Sequence, residues 1–145
     1  MAKIIDTHSH ILPGIDDGAS SWKEALCMLK TAQAQGIRRV IATPHWGGPF
    51  GYTDPVQIRE LCFTLQEKAR RHNISVKIYQ GQEVMYTEEA ADRIANGEIL
   101  TLRTAGMYWL NFIRESGIRE FFGQYSALHS RDTVRSSLMQ RDMKR

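Results

Sequence analysis

The feature that most constrains this chain is an alternation of two periods. Short apolar stretches at Lys3-Ile4-Ile5, Arg39-Val40-Ile41-Ala42-Thr43 and Ser75 to Tyr79 read as strands. Between them lie longer stretches with helical spacing. In the first, Ser21-Trp22-Lys23-Glu24 reads as a capping box, Ala25, Leu26, Leu29 and Ala32 recur on one face, and Gly36 is a natural stop. The second opens at Asp54-Pro55, an N-cap followed by proline in the first turn, and places Ile58, Leu61, Leu65 and Ala69 together. A third helix is expected from Thr87-Glu88-Glu89 to Asn96-Gly97, followed by a short extended segment from Ile99 to Leu102. Strands separated by amphipathic helices imply βαβ units, a parallel sheet and the α/β class. Functional groups are then expected at the C-terminal ends of the strands.

Length limits how much of such an architecture fits. A complete β/α barrel takes about 250 residues, and the chain has 145, so the expectation is a partial, truncated barrel. The order also fades after Leu102: Met107 to Phe112 reads as a strand and Ser126 to Met143 as a polar helix, without a βα rhythm. Charge changes at the same place. Residues 1–102 carry 11 basic and 12 acidic side chains, whereas residues 103–145 carry 8 and 4. The chain therefore divides into an N-terminal segment, residues 1–102, and a divergent segment, residues 103–145. The sparse basic excess lacks RNP, zinc-finger and basic-zipper patterns, so nucleic acid is not an expected partner. No apolar run is long enough for membrane insertion and no signal stretch opens the chain, which makes a cytoplasmic location the expectation. Cys27 and Cys62 are too few for a disulfide framework and are expected to be buried thiols.

Chemistry-bearing residues gather where the strands end. His8 and His10 are two apart, so on extended backbone both imidazoles face one side. Asp16-Asp17 follow in a loop flanked by Gly14 and Gly18, which allow a tight turn; His45 follows the second strand and Glu83 the third. Taken singly, Asp-Asp-Gly is a turn, Gly-Gln-Glu an ordinary loop, and a histidine after a strand a hydrogen-bonded surface residue. Three successive strands delivering imidazole or carboxylate to the same end imply a polynuclear metal site instead. Mixed His and carboxylate donors without Cys favour Mn, Fe or Zn, and such clusters suit metal-assisted hydrolysis of phosphoesters.

These segments, Asp6-Thr-His8-Ser-His10-Ile-Leu-Pro-Gly-Ile-Asp16-Asp17-Gly18, Ile41-Ala-Thr-Pro-His45, Gly81-Gln-Glu83-Val and Gly97-Glu-Ile-Leu-Thr-Leu, resemble the PHP (polymerase and histidinol phosphatase) superfamily. Within it they resemble the bacterial manganese-dependent protein-tyrosine phosphatases of capsule and exopolysaccharide operons. The resemblance covers residues 1–102. It implies a distorted PHP-type β/α barrel with up to three metals, Mn2+ foremost and Fe, Co or Zn as alternatives. It also implies hydrolysis of phosphotyrosine on a bacterial tyrosine kinase that regulates polysaccharide export. By motif position His8, His10, Asp17, His45 and Glu83 are metal ligands, with Glu83 bridging, while Asp6 and Asp16 support them. A metal-bound hydroxide is then the nucleophile and no protein side chain, neither cysteine included, attacks phosphorus. The oligomeric state is left open.

The final third departs from that pattern. Where the family has a ligand Glu, this chain has Asn111, a weak ligand; His129 sits in Leu128-His129-Ser130-Arg131, whose neighbours do not match the family's His-Pro-Glu-Arg; and no late Asp-x-His pair follows. Read in a frame displaced by one nucleotide, permissive codons for Gly106-Met-Tyr-Trp-Leu-Asn-Phe give Arg-Tyr-Val-Leu-Val-Glu-Leu, the expected strand with its Glu. A frameshift near residue 103 accounts for both the charge step and the lost motif; divergence is the alternative. Two other readings stand beside the phosphatase: an inactive remnant that binds metal or a partner without turnover, and an amidohydrolase-like enzyme, which also uses His-x-His after its first strand.

Overall fold

The structure, a computed structural model, describes residues 4–85 and 87–100, together with the backbone of residues 107–114 and 117–124. Strand β1 (Ile4–Ser9) leads into helix α1 (Trp22–Ala34), strand β2 (Ile37–Ala42) and the two-residue strand β3 (His45–Trp46). A 3-10 turn (Gly48–Phe50) precedes helix α2 (Pro55–Arg71), and strands β4 (Lys77–Gln80) and β5 (Glu83–Met85) come before helix α3 (Glu88–Ala95). Strands β6 (Met107–Arg114) and β7 (Gly117–Gln124) follow.

Two sheets result, in the orders β1-β2-β4 and β3-β5-β6-β7. Every pairing is parallel except β6 with β7. The sheets are consecutive rather than stacked. β2 breaks at Thr43-Pro44 and resumes as β3, and β4 breaks at Gly81-Gln82 and resumes as β5. Backbone bonds cross the break, with Gly81 N donating to Ala42 O at 2.9 Å and Glu83 N donating to Pro44 O at 3.0 Å. At the same level Thr43 N donates to Ser9 O at 2.9 Å, and Ser9 N donates to Thr43 Oγ1 at 3.1 Å. The buried Thr43 thus ties the end of β1 to the break in β2.

The helices form where capping and apolar phase agree. Ser21 caps α1 by accepting from Glu24 N, while the Glu24 carboxylate reaches back to Ser20, accepting from its N at 2.8 Å and its Oγ at 2.6 Å. Only half of the expected capping box is therefore made, because Ser20 supplies two donors in place of Ser21 N. Asp54 caps α2 by accepting from Val56 N, with Pro55 in the first turn. Thr87 caps α3 through Ala90 N. Ala25, Leu29 and Ala32 of α1 and Ile58, Cys62, Leu65 and Ala69 of α2 pack with Val40 and Ala42 of β2 and with Ile11, Leu12, Ile74 and Val76. Each large aliphatic side chain so buried stabilises the fold by about 1.5–3 kcal/mol.

Several expectations need correction. Cys27 is exposed and only Cys62 is buried, because Cys27 is turned away from the stripe of Ala25, Leu29 and Ala32. β1 runs on through His8 to Ser9 instead of stopping at Ile5, and the third strand is Lys77–Gln80. Ile99 and Leu100 belong to no strand; Thr101 and Leu102 lie outside the described residues. The strand expected at Met107 is present as β6 and pairs with β7, which was not anticipated, while the helix expected from Ser126 lies outside the described residues. Among the described residues no helix is long and apolar enough to cross a membrane.

Candidate metal centre

The break across β2 and β4 decides where the donors point. β3 and β5 pair with His45 directly opposite Glu83, and in a parallel pair opposite residues project to the same face. β1 ends beside them through Thr43, which brings His8 and His10 to that face. The buried Glu83 carboxylate is the hub. Its Oε2 lies 3.1 Å from His8 Nε2, 2.8 Å from His10 Nε2 and 3.3 Å from His45 Nδ1. His8 Nε2 and His10 Nε2 are themselves 3.0 Å apart.

The two aspartates differ sharply. Asp16, whose side chain is 0% exposed, accepts at Oδ2 from His10 Nδ1 at 2.8 Å and from His45 N at 3.1 Å, and at Oδ1 from Gly18 N at 3.0 Å. Its carboxylate is consumed in orienting the loop and the two histidines. Asp17, 56% exposed, brings Oδ1 to 3.3 Å from His45 Nε2 and 3.7 Å from His10 Nδ1. Asp6 accepts locally from His8 N at 3.2 Å. Among the described residues two donor groups are compact enough to hold an ion: His8, His10 and Glu83, and His10, Asp17 and His45. Asn111 lies on β6 in register with Met85, two residues past the position opposite Glu83.

Electrostatics shows what this arrangement demands. Burial alone would push the His10 pKa down, but its hydrogen bonds to Asp16 and Glu83 outweigh burial and hold it up at about 10. Burial would likewise raise Glu83, yet the bonds from His10 and His8 keep it well below the usual carboxylate range. Asp16 is also lowered, by His10, Gly18 N and His45 N against burial. The cluster therefore retains its negative charge and requires a cation among its imidazoles, either a proton or a metal ion. The donor set fits a metal. Two ligands each about 2.1 Å from one ion and at right angles are roughly 3.0 Å apart, close to the 3.0 Å between His8 Nε2 and His10 Nε2. Two such lone pairs facing one another want a shared positive centre.

Residues other than the candidate ligands brace this geometry or border it. Gly18 is required by close approach and not by its backbone angle: a Cβ there would sit 2.0 Å from His10 O, whereas Gly14 has φ +68° and open space. Thr53 Oγ1 donates to His45 O at 2.6 Å and accepts from Gln82 Nε2 at 3.1 Å. The buried Gln82 also donates to Thr53 O at 3.0 Å and accepts from Leu100 N at 2.7 Å. Phe50 stacks on His45, with centroids 4.1 Å apart and planes within 6°. Gln82 and Thr53 leave no periodic trace in sequence, but an aromatic residue among three glycines in Gly47-Gly48-Pro49-Phe50-Gly51 beside a ligand candidate is a legible signal.

A parallel α/β scaffold presenting clustered histidines and carboxylates beyond its strand ends defines a candidate metal centre of hydrolytic type. The chain belongs to the capsular polysaccharide synthesis CpsB/CapC family, whose model matches residues 4–129. It is 32% identical over 109 residues to the tyrosine-protein phosphatase YwqE of Bacillus subtilis, covering 75% of this chain and 43% of that protein. It is 29% identical over 117 residues to the tyrosine-protein phosphatase CpsB of Streptococcus pneumoniae, covering 81% and 48%. A solved structure from work on YwqE and CpsB, described as unique metal-dependent tyrosine phosphatases, matches with TM-score 0.71 at 32% identity over 76% of this chain and 44% of that one. The chain thus spans less than half the length of the relatives it matches.

Proposed function

We propose that this chain carries the metal-holding part of a phosphotyrosine-protein phosphatase. The observation that carries the reading is the convergence of three imidazole nitrogens on Glu83 Oε2 within 2.8–3.3 Å. In this reading His8, His10 and Glu83 hold one ion, Asp17 and His45 contribute to a second, and Glu83 lies between them. Asp16 fixes the tautomer of His10 by accepting from its Nδ1–H, which leaves the Nε2 lone pair to face the ion. Asp6 supports the backbone at His8. When bound, divalent ions supply Lewis acidity toward phosphoryl oxygens and a water made acidic enough to ionise near neutral pH. Cys62 takes no part, since burial pushes its thiol up to about 12, and Cys27 lies on α1, a helix that supplies none of the donors.

Mn2+ is the proposed ion, with Fe, Co or Zn as alternatives the same donors accept. A tyrosine-phosphorylated kinase of polysaccharide synthesis is the proposed substrate, met in the cytoplasm. Residues 1–102 are read as the first part of a PHP-type barrel and residues 103–145 as a divergent or out-of-frame segment. The exposure of Ile4 and Ile5 on β1, at 51% and 43%, supports a barrel whose remaining strands would cover that edge. Family membership favours phosphoester hydrolysis over amidohydrolase chemistry. The neutral Asn111 favours a second reading, a remnant that binds metal without turnover.

Metal content measured alongside hydrolysis of a phosphotyrosine peptide, with and without added Mn2+, separates the two. Turnover that requires Mn2+ and disappears in His8→Ala is expected; bound metal with no turnover establishes the remnant. Hydrolysis indifferent to chelator or to His8→Ala would refute the metal mechanism. Sequencing the gene tests the frame: an intact single frame with no family-like continuation in another sinks the frameshift.

A further inference from the structure

Phe50 stands at the edge of the donor cluster and is tied into none of its polar bonds. The loop that presents it is closed on itself. Gly47 N donates to Gly51 O at 2.6 Å, and Gly47, Gly48 and Gly51 all take positive φ, at 88°, 66° and 77°. Met85 of β5 lies beneath the glycine pair, so that a Cβ on either Gly47 or Gly48 would meet its side chain at 3.4 Å. Trp46 and Tyr52 pair as an antiparallel bridge across the loop base. The ring is therefore presented on a constrained support, which lowers the ordering cost of any partner that packs on it.

Its surroundings define what that partner is. His45 has both ring nitrogens in the cluster, Nε2 toward Asp17 and Nδ1 toward Glu83, each at 3.3 Å. One face of its imidazole meets His10, with centroids 4.5 Å apart, and Phe50 stacks on it at 4.1 Å. Phe50 is thus an aromatic wall one ring thickness from a proposed metal ligand, and at 38% exposure it keeps apolar surface open to solvent. A phosphoryl group held at the Asp17 and His45 side carries its leaving group one ester oxygen away. An aryl ring on that oxygen is the kind of group that can pack on the exposed part of Phe50, aromatic pairs forming at centroid separations of roughly 4.5–7 Å. The phosphate of an alkyl alcohol such as serine brings no ring and leaves Phe50 uncovered.

We infer that Phe50 is a specificity-determining residue that selects aryl over alkyl phosphate monoesters at this site. The inference rests on the phosphatase reading and names which side of the substrate the loop recognises. Non-hydrolysable probes test it without turnover. Phenylphosphonate and methylphosphonate are titrated calorimetrically into the Mn2+-loaded chain and into Phe50→Ala, Phe50→Leu and Phe50→Trp. Wild type is expected to bind phenylphosphonate about two- to tenfold tighter than methylphosphonate. Phe50→Ala is expected to bring that ratio near one with methylphosphonate affinity unchanged, and Phe50→Trp to keep it. Phe50→Leu preserves apolar bulk if the alanine variant fails to fold, and it too is expected to lower the ratio. An unchanged ratio in the alanine and leucine variants overturns the inference. So does equal weakening of both probes, which marks Phe50 as a prop for His45 and nothing more. If neither probe binds the Mn2+-loaded wild type, the phosphatase reading fails and this inference with it, a pattern distinct from binding of both probes without preference.

Discussion

Gly18→Ala isolates the packing that holds His10. The added Cβ would lie 2.0 Å from His10 O, 2.4 Å from His10 Cβ and 2.7 Å from His10 C. Carbon atoms rest roughly 3.5–4.0 Å apart at their optimum, so the Asp16–Gly18 loop and His10 must separate by about an ångström. All three close atoms belong to backbone or to the root of a side chain, and none can swing aside. The bonds at risk are Ala19 N to His10 O at 2.9 Å and Gly18 N to Asp16 Oδ1 at 3.0 Å. Overpacking costs about 1–3 kcal/mol and each of the two lost bonds about 0.5–1.5 kcal/mol, which together give a destabilisation of about 2–6 kcal/mol. At roughly 3–4 °C per kcal/mol for a chain of this size, the Tm of the metal-free protein falls by about 6–24 °C. Displacing His10 from Asp16 also costs about ten- to a hundredfold in Mn2+ affinity, the scale seen when a group orienting a metal ligand is lost. Circular dichroism melts and calorimetric Mn2+ titration read the two effects separately. Gly14→Ala is the control: its site has φ +68° and open space, so it costs about 1–2 kcal/mol of strain and leaves Mn2+ affinity intact. A Gly18→Ala protein that melts and binds Mn2+ like wild type refutes the close-approach argument.

Three further outcomes follow from the same cluster. Glu83→Gln removes the charge on which three imidazoles converge and is expected to lower Mn2+ affinity by at least about a hundredfold; a smaller loss in calorimetry would remove Glu83 from its central place. The metal-free chain should show a stability optimum in pH. His10, raised from 6.5 to about 10, contributes fully below pH 6.5 and loses its contribution as pH rises toward 10. Glu83 and Asp16, lowered from 4.5 and 3.8, contribute fully above those values and lose their contribution as pH falls below them. Melting temperatures measured from pH 3 to 10 are therefore highest near pH 4.5–6.5, and an alkaline limb that persists in His10→Ala contradicts this origin. Thr53→Val leaves His45 O and Gln82 Nε2 each short of a partner in a buried setting and is expected to cost about 1–3 kcal/mol by denaturant unfolding, against no change if water replaces the hydroxyl.

Much of this was legible in the chain because the relevant signals are local or periodic. Asp54-Pro55 announces α2, Ser21 announces α1, and Ile58, Leu65 and Ala69 fall on the core face at helical spacing. The donors were legible because imidazoles and carboxylates after successive strands have few structural uses in common. The strand breaks were not. β3 and β5 have two and three residues, too short for any period, and the backbone bonds that bridge the breaks are nonlocal. Gly18 was read as a turn residue because sequence cannot separate a glycine needed for φ from one needed for space. The exposure of Cys27 follows from helix phase: Ala25 and Leu29 define the buried face, and a residue two positions from each lies about 200° around the helix. Cys62, four after Ile58 and three before Leu65, lies within the stripe.

The breaks in β2 and β4 do more than shorten strands. In uninterrupted parallel strands the alternation of side chains would run on past Ala42 and Gln80, and the face presented at positions 45 and 83 would be set by parity alone. Thr43-Pro44 and Gly81-Gln82 are each two residues long, and both leave the ladder while one backbone bond crosses at each position. His45 and Glu83 therefore re-enter the ladder opposite one another, in step, at the level where β1 delivers His8 and His10. A change of one residue in either break, without its counterpart in the other, would shift that register and send one of the pair to the far face. Pro44 fixes its own φ and has no N–H to pair, while its carbonyl accepts from Glu83 N at 3.0 Å. The buried Gln82 is anchored at both ends of its amide, to Thr53 and to Leu100. The two breaks thus hold each other in step, and through Thr53 the same network grips the carbonyl of His45. Placement of the donors is in this sense a property of the paired breaks, which explains why buried, non-ligating residues such as Thr43, Thr53 and Gln82 sit so close to the proposed metals.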